Sequence, residues 1–95
     1  MTNNFTGRQM IINTTGVVGP SCNFKVTDAW WQDITAASQN FSFTDAAGRA
    51  YSWTSFSAGG AGFPPVEIGK LDWIEGPITV TAIGSGVVYM VLGYK

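Results

Sequence analysis

The chain has 95 residues, with five basic and six acidic side chains, no histidine and one cysteine; 45% of residues are apolar, 14% aromatic and 12% charged. That length supports one domain with one thin core, and the charged share is about half of that usual in soluble domains. Arg8, Lys25, Arg49, Lys70 and Lys95 are scattered, so there is no basic stripe for a phosphate backbone, and no apolar run is long enough to span a bilayer. Neither nucleic acid nor a membrane is expected as a partner. "MTNNFTGRQM" lacks the pattern of a signal peptide, so synthesis in the cytoplasm is expected. Cys22 stands alone, reads as a small buried hydrophobe, and has no companions that would make a metal site.

In chain order, short runs of β-branched and aromatic residues alternate with turn signals about every ten residues, which predicts an all-β chain. No strand is expected before Arg8, so residues 1–7 read as a flexible amino-terminal arm on a single domain spanning 1–95. The first run is "RQMIIN" (8–13), followed by "TTGVVGPS", where Gly16, Gly19 and Pro20 are expected to break regular structure. "CNFKVT" (22–27) alternates as a half-buried strand, with Cys22, Phe24 and Val26 on one face. "WWQDIT" (30–35) reads as a separate, shorter strand.

"NFSFT" (40–44) and residues 49–56 flank "DAAG", a hairpin connection in which Asp45 can accept a bond from the backbone two residues on and Gly48 can adopt positive φ. Phe41 and Phe43 then face Trp53 and Tyr51 across the strands. "SAGGAGFPP" (57–65) reads as a loop rather than a phosphate cradle, because Pro64 and Pro65 remove amides and no Lys-Ser or Lys-Thr follows. In "VEIGKLDWI" a bulge at Gly69 is expected to bring Leu71 and Trp73 onto the core face. "ITVTAI", "GSG" and "VVYMVLGY" read as a second hairpin. Seven to eight strands of this spacing predict an antiparallel β-sandwich.

Chemistry is sparse. Without histidine there is no usual general base, and the acids Asp28, Asp33, Asp45, Glu67, Asp72 and Glu75 fall at turns and strand ends, so no catalytic, cofactor or metal residues are assigned and no enzyme is expected. The tryptophans are more informative. Trp30 and Trp31 must point to opposite faces of a strand, so one lies outside the core: over the edge of its own sandwich, as an interface anchor, or as a stacking platform for a sugar.

The closing strand is apolar on both faces, with Val87, Tyr89 and Val91 on one and Val88, Met90 and Leu92 on the other. The second sheet is expected to cover one face and another copy of the chain the other. Trp30, Trp31, Val88, Met90, Leu92 and Tyr94 are the candidate residues for an oligomer or partner interface.

"NFSFTDAAGRAYSW" and "WIEGPITVTAIGSGVVYMVLGY" resemble the small virion proteins of tailed bacteriophages, in particular capsid decoration (cement) proteins. The resemblance covers the last two thirds of the chain. It implies a jelly-roll-like sandwich in the virion, commonly a homotrimer, bound to the major capsid protein or another virion protein and strengthening the shell, with no cofactor. The alternative of another class is a carbohydrate- or receptor-binding module of a tail fibre or baseplate.

Overall fold

The computed structural model describes residues 3–35, 39–55 and 66–94. Ten strands run through them: β1 (Asn4–Thr6), β2 (Gln9–Ile12), β3 (Gly16–Val18), β4 (Asn23–Gln32), β5 (Asn40–Thr44), β6 (Ala50–Thr54), β7 (Val66–Glu67), β8 (Leu71–Glu75), β9 (Ile78–Ile83) and β10 (Val87–Gly93). The loop read at 36–38, the strand end at 56 and the glycine-rich stretch 57–65 lie outside the described residues. Two antiparallel sheets form a β-sandwich. The six-stranded sheet runs β1-β2-β10-β4 and then both β7 and β8, while the four-stranded sheet runs β3-β9-β5-β6.

The β5–β6 hairpin forms as its local chemistry dictates. Gly48 has a φ of 87°. The Asp45 carboxylate accepts bonds from the amides of Ala47 (3.1 Å) and Arg49 (2.9 Å) and pairs with the Arg49 guanidinium at 2.8 Å. Phe41 stacks on Trp53 with centroids 5.7 Å apart, and Phe43 on Tyr51 at 4.8 Å. Phe41 and Phe43 are fully buried, so this hairpin closes one side of the core.

"ITVTAI-GSG-VVYMVLGY" does not form a hairpin. β9 pairs with β3 and β5, whereas β10 pairs with β2 and β4 in the other sheet. The chain crosses the sandwich at Gly84-Ser85-Gly86, where Trp31 Nε1 donates to the Ser85 carbonyl (2.8 Å), the Thr35 amide donates to Ser85 Oγ (3.0 Å) and Ser85 Oγ donates to Gln39. Gly86 has a φ of 78°, and a Cβ there would overlap the Gln32 carbonyl oxygen, so the corner requires glycine. Both strands bury one apolar row, and splitting them between sheets sets those rows on opposite sides of one core.

Other expectations need correction. Residues 22–35 carry one ten-residue strand rather than two, since β4 runs continuously to Gln32. "TTGVVGPS" contains the short strand β3. The segment before Arg8 is no free arm: β1 pairs with β2 around Gly7, and Asn3 Oδ1 accepts the amides of Asn13 (2.8 Å) and Thr14 (3.0 Å). Cys22 is exposed, because it precedes the first paired residue of β4. Gly69, with a φ of 77°, does interrupt the segment, leaving β7 and β8 as two pieces of one broken edge along β4. The slip puts Ile74 rather than Trp73 into the core, and Trp73 is 38% exposed.

Val88, Met90 and Leu92, assigned above to an interface, are core residues at 0, 0 and 1% exposure. Lysine at Met90 would place a lone ammonium in the apolar core, between Met10 and Ala29, so Met90→Lys should abolish cooperative unfolding, and Met90→Ala should cost about 2–5 kcal/mol. Val91→Lys should fold normally, which near-UV circular dichroism with thermal melts will check. Asp45 gives a pH signature. Burial raises its pKa, but bonds from the Arg49 amide and guanidinium, the Arg49 charge and the Glu75 backbone outweigh burial and hold the carboxyl below its ordinary value. A depressed folded-state pKa contributes stability above the unfolded value, and that contribution is lost as pH falls through the folded one. Asp45→Ala should therefore lower the melting temperature at pH 7, and the gap to wild type should close in acid below the ordinary carboxylate range.

Candidate functional site

The two sheets present different outer surfaces. On the four-stranded sheet, Asn40 and Ser42 of β5, Ser52 and Thr54 of β6, and Thr79 and Thr81 of β9 face out, Ser42 and Thr81 share a hydroxyl bond of 2.8 Å, and Val17 of β3, opposite Thr79, is an exposed apolar residue at 67%. Residues directly opposite in an antiparallel ladder share a face. On the six-stranded sheet, the ladder therefore sets Asn4, Ile11, Tyr89, Trp30 and Glu67 in one row across β1, β2, β10, β4 and β7. The next row holds Thr6, Gln9, Val91 and Asp28, and Val87 stands opposite Gln32. The middle of this outer surface is thus Ile11, Val87, Tyr89, Val91 and Trp30, which a solvated sheet face would fill with polar side chains.

A bulge decides which tryptophan faces out. Strict alternation from the buried Phe24 and Val26 would bury Trp30, but Leu92 pairs with Val26 while Val91 pairs with Asp28, so Thr27 is an extra residue. The phase shifts, and Ala29 and Trp31 turn inward at 0% exposure. Trp31, expected at the interface as one of a pair, is instead a core residue. Trp30 is half-buried on the outer face, stacked on Tyr89 with centroids 5.6 Å apart and planes 22° from parallel, and its Nε1 donates to Gln32 Oε1 at 2.9 Å. Tyr94 is half-buried at the sheet end, its hydroxyl donating to the Gly7 carbonyl; burial pushes the phenol pKa up. Of the six expected residues, Trp30 alone lies in the outward band. Val87, Tyr89 and Val91 take the place of Val88, Met90 and Leu92.

Two clefts flank β4 on its open side. One, of about 400 Å³, is lined by Asp28, Ala29, Trp30 and Glu67. The other, of about 360 Å³, opens where the β4–β8 register slips and is lined by Lys25, Val26, Thr27, Lys70, Leu71 and Asp72. Lys25 Nζ lies 5.8 Å from the centroid of the Trp73 ring, a cation–π contact. The outer face is therefore acidic at the Trp30 end and mixed in charge at the Trp73 end, where Lys25 and Lys70 stand with Asp72 and Glu75. Among the described residues no three His, Cys, Asp or Glu side chains gather as a metal site.

No family model, curated protein or solved structure matches the chain.

The two neighbouring tryptophans should respond differently to truncation. Trp31→Ala removes a fully buried ring with a satisfied indole N–H and should cost about 3–5 kcal/mol in urea melts. Trp30→Ala should cost distinctly less, since its ring rests on the outside of the sheet. An equal cost for both would contradict the phase shift at Thr27.

Proposed function

We propose that the chain is a non-catalytic structural subunit of the capsid-decoration kind, which packs the outer face of its six-stranded sheet against copies of itself and against the shell of a virion. The observation that carries this reading is the apolar band of Ile11, Val87, Tyr89, Val91 and Trp30 along the middle of the outer face of the six-stranded sheet. A sheet whose outside is apolar along its central strand is favoured when that side is covered. The resemblance of the hairpin and closing segments to decoration proteins supplies the identity of the partner, the major capsid protein, and the expected homotrimer. Binding assembled shells and not their dissociated subunits strengthens a shell by mass action, by about 2.7 kcal/mol per site at one hundred times the dissociation constant.

The cleft beside Trp30 favours a second reading, a carbohydrate- or receptor-binding module, since a fixed indole face bordered by hydrogen-bond acceptors is also a stacking platform.

Sedimentation should find the wild-type protein oligomeric, and the paired substitution Tyr89→Lys with Val91→Lys should yield folded monomers. Shells lacking the protein should bind wild type and release their genome at a higher temperature, and the doubly substituted protein should do neither. A wild-type monomer that leaves the release temperature unmoved would overturn the structural reading.

A further inference from the structure

The acidic end of the outer face has a chemistry of its own. β10 and β7 flank β4 on opposite sides, so the Trp30 ring, stacked on Tyr89 of β10, has Glu67 as its direct partner on the other side, on β7. Trp30 lines the cleft of about 400 Å³, with Asp28 two residues before it on the same strand and Glu67 across from it. The indole cannot swing freely, because its N–H is committed to Gln32.

Among the described residues neither carboxylate has an ion-pair partner. The ion pair among the described residues is Arg49 with Asp45. Asp28 accepts one bond, from the Ala29 amide to Oδ1 at 2.9 Å, and its second oxygen has no partner among the described residues. Nor does the carboxylate of Glu67 have one. The nearby cations are placed elsewhere: Lys25 sits over Trp73, and Lys70 lines the neighbouring cleft with Asp72. An indole face is negative at its centre, so the ring and both carboxylates attract the same kind of group, a cation.

We propose that this cleft binds a guanidinium group, the side chain of an arginine on a protein partner, lying flat on Trp30 and donating to Asp28 and Glu67. A guanidinium fits better than an ammonium, because it is planar, stacks on aromatic faces, is weakly hydrated and carries five donors able to reach two carboxylates at once. A neutral sugar would gain the stacking but leave two carboxylates losing water without gaining a positive charge. The proposal rests on the reading of this face as an interface, and it identifies what the acidic end of that interface recognises.

The test uses the full-length protein and L-argininamide, followed by the Trp30 indole N–H signal in proton–nitrogen correlation spectra, with Trp30→Leu identifying the signal. Argininamide should move it saturably, more salt should weaken binding, and Asp28→Asn with Glu67→Gln should raise the Kd about tenfold. Methyl glucoside should give no saturable shift. Absence of a saturable shift with argininamide, or one indifferent to the two substitutions, overturns the inference; saturation by the glucoside alone overturns it in favour of sugar binding. The same double variant is then added to shells. Attachment weakened relative to wild type supports the partner arginine, and attachment unchanged overturns it while leaving the structural reading intact. If argininamide binds as expected but wild-type protein attaches to no shell, the decoration reading fails and the guanidinium cleft stands.

Discussion

A strand that is apolar on both faces has to lie between two layers or become sticky on one side, and β10 is placed to meet the first requirement by half. It runs between β2 and β4 at the centre of the six-stranded sheet, with Val88, Met90 and Leu92 against Phe24, Val26 and Trp31 in the core. Its pairing partners are the two strands that carry the rest of that sheet's inward row, Met10 and Ile12 from β2 and Ala29 and Trp31 from β4. The outward row follows from the same pairing. Once Met90 is fixed opposite Met10 and Ala29, Tyr89 must stand between Ile11 and Trp30, and the apolar outer band is a consequence of core register rather than a separate feature.

The corner at Gly84-Ser85-Gly86 makes this placement possible. Strand β9 needs a polar outer face, which Thr79 and Thr81 supply, while β10 brings Tyr89 and Val91, so the two strands suit different surfaces. Crossing between the sheets sets the threonines of β9 beside Ser42 and Thr44 of β5 and the apolar residues of β10 beside Ile11 and Trp30, although Val17 of β3, opposite Thr79, is apolar and exposed. The cost is a tight bend whose polar groups must be satisfied within the corner, and Trp31, Thr35 and Gln39 do this from three separate points in the chain. Trp31 thus has two roles, filling the core and holding the strand that packs beside it.

How far the sequence revealed this depends on the range of each interaction. The β5–β6 hairpin was legible residue by residue, because Asp45, Gly48 and the facing aromatics all act within one turn. The strands β9 and β10 were legible as strands but not as partners. A Gly-Ser-Gly turn signals reversal without saying whether the returning strand stays in its sheet, and the information that decides lies in β2 and β4, far away in sequence. Alternation likewise divides β10 into its two rows but does not say which row is inside, and the row expected at the interface, Val88, Met90 and Leu92, is the buried one. For Trp30 and Trp31 one inserted residue, Thr27, reverses the answer, and Thr27-Asp28 has no glycine to announce a bulge. The strand at Asn4–Thr6 was missed for a similar reason: three residues are too few for a periodic pattern, although Gly7, with a φ of 57°, marked the turn that pairs them.

The same bulge links the fold to its candidate site. Shifting the phase of β4 turns Trp30 outward beside Tyr89, and it also sets Thr27 and Asp28 on the outer face in succession, which brings a carboxylate up to the indole. The broken edge at Gly69 completes the arrangement. Because the Ile68 and Gly69 amides both bond to the Ala29 carbonyl, β7 ends immediately after Glu67, and Thr27 to Ala29 of β4 have no ladder partner on that side, which leaves a gap beside Trp30. Two local irregularities on adjacent strands therefore produce an aromatic wall, two uncompensated carboxylates and the space between them. A strand in strict alternation from the buried Phe24 and Val26 would have turned Asp28 and Trp30 together into the core. Its outer surface would then lack a carboxylate beside the aromatic wall to fix the direction in which a partner docks there.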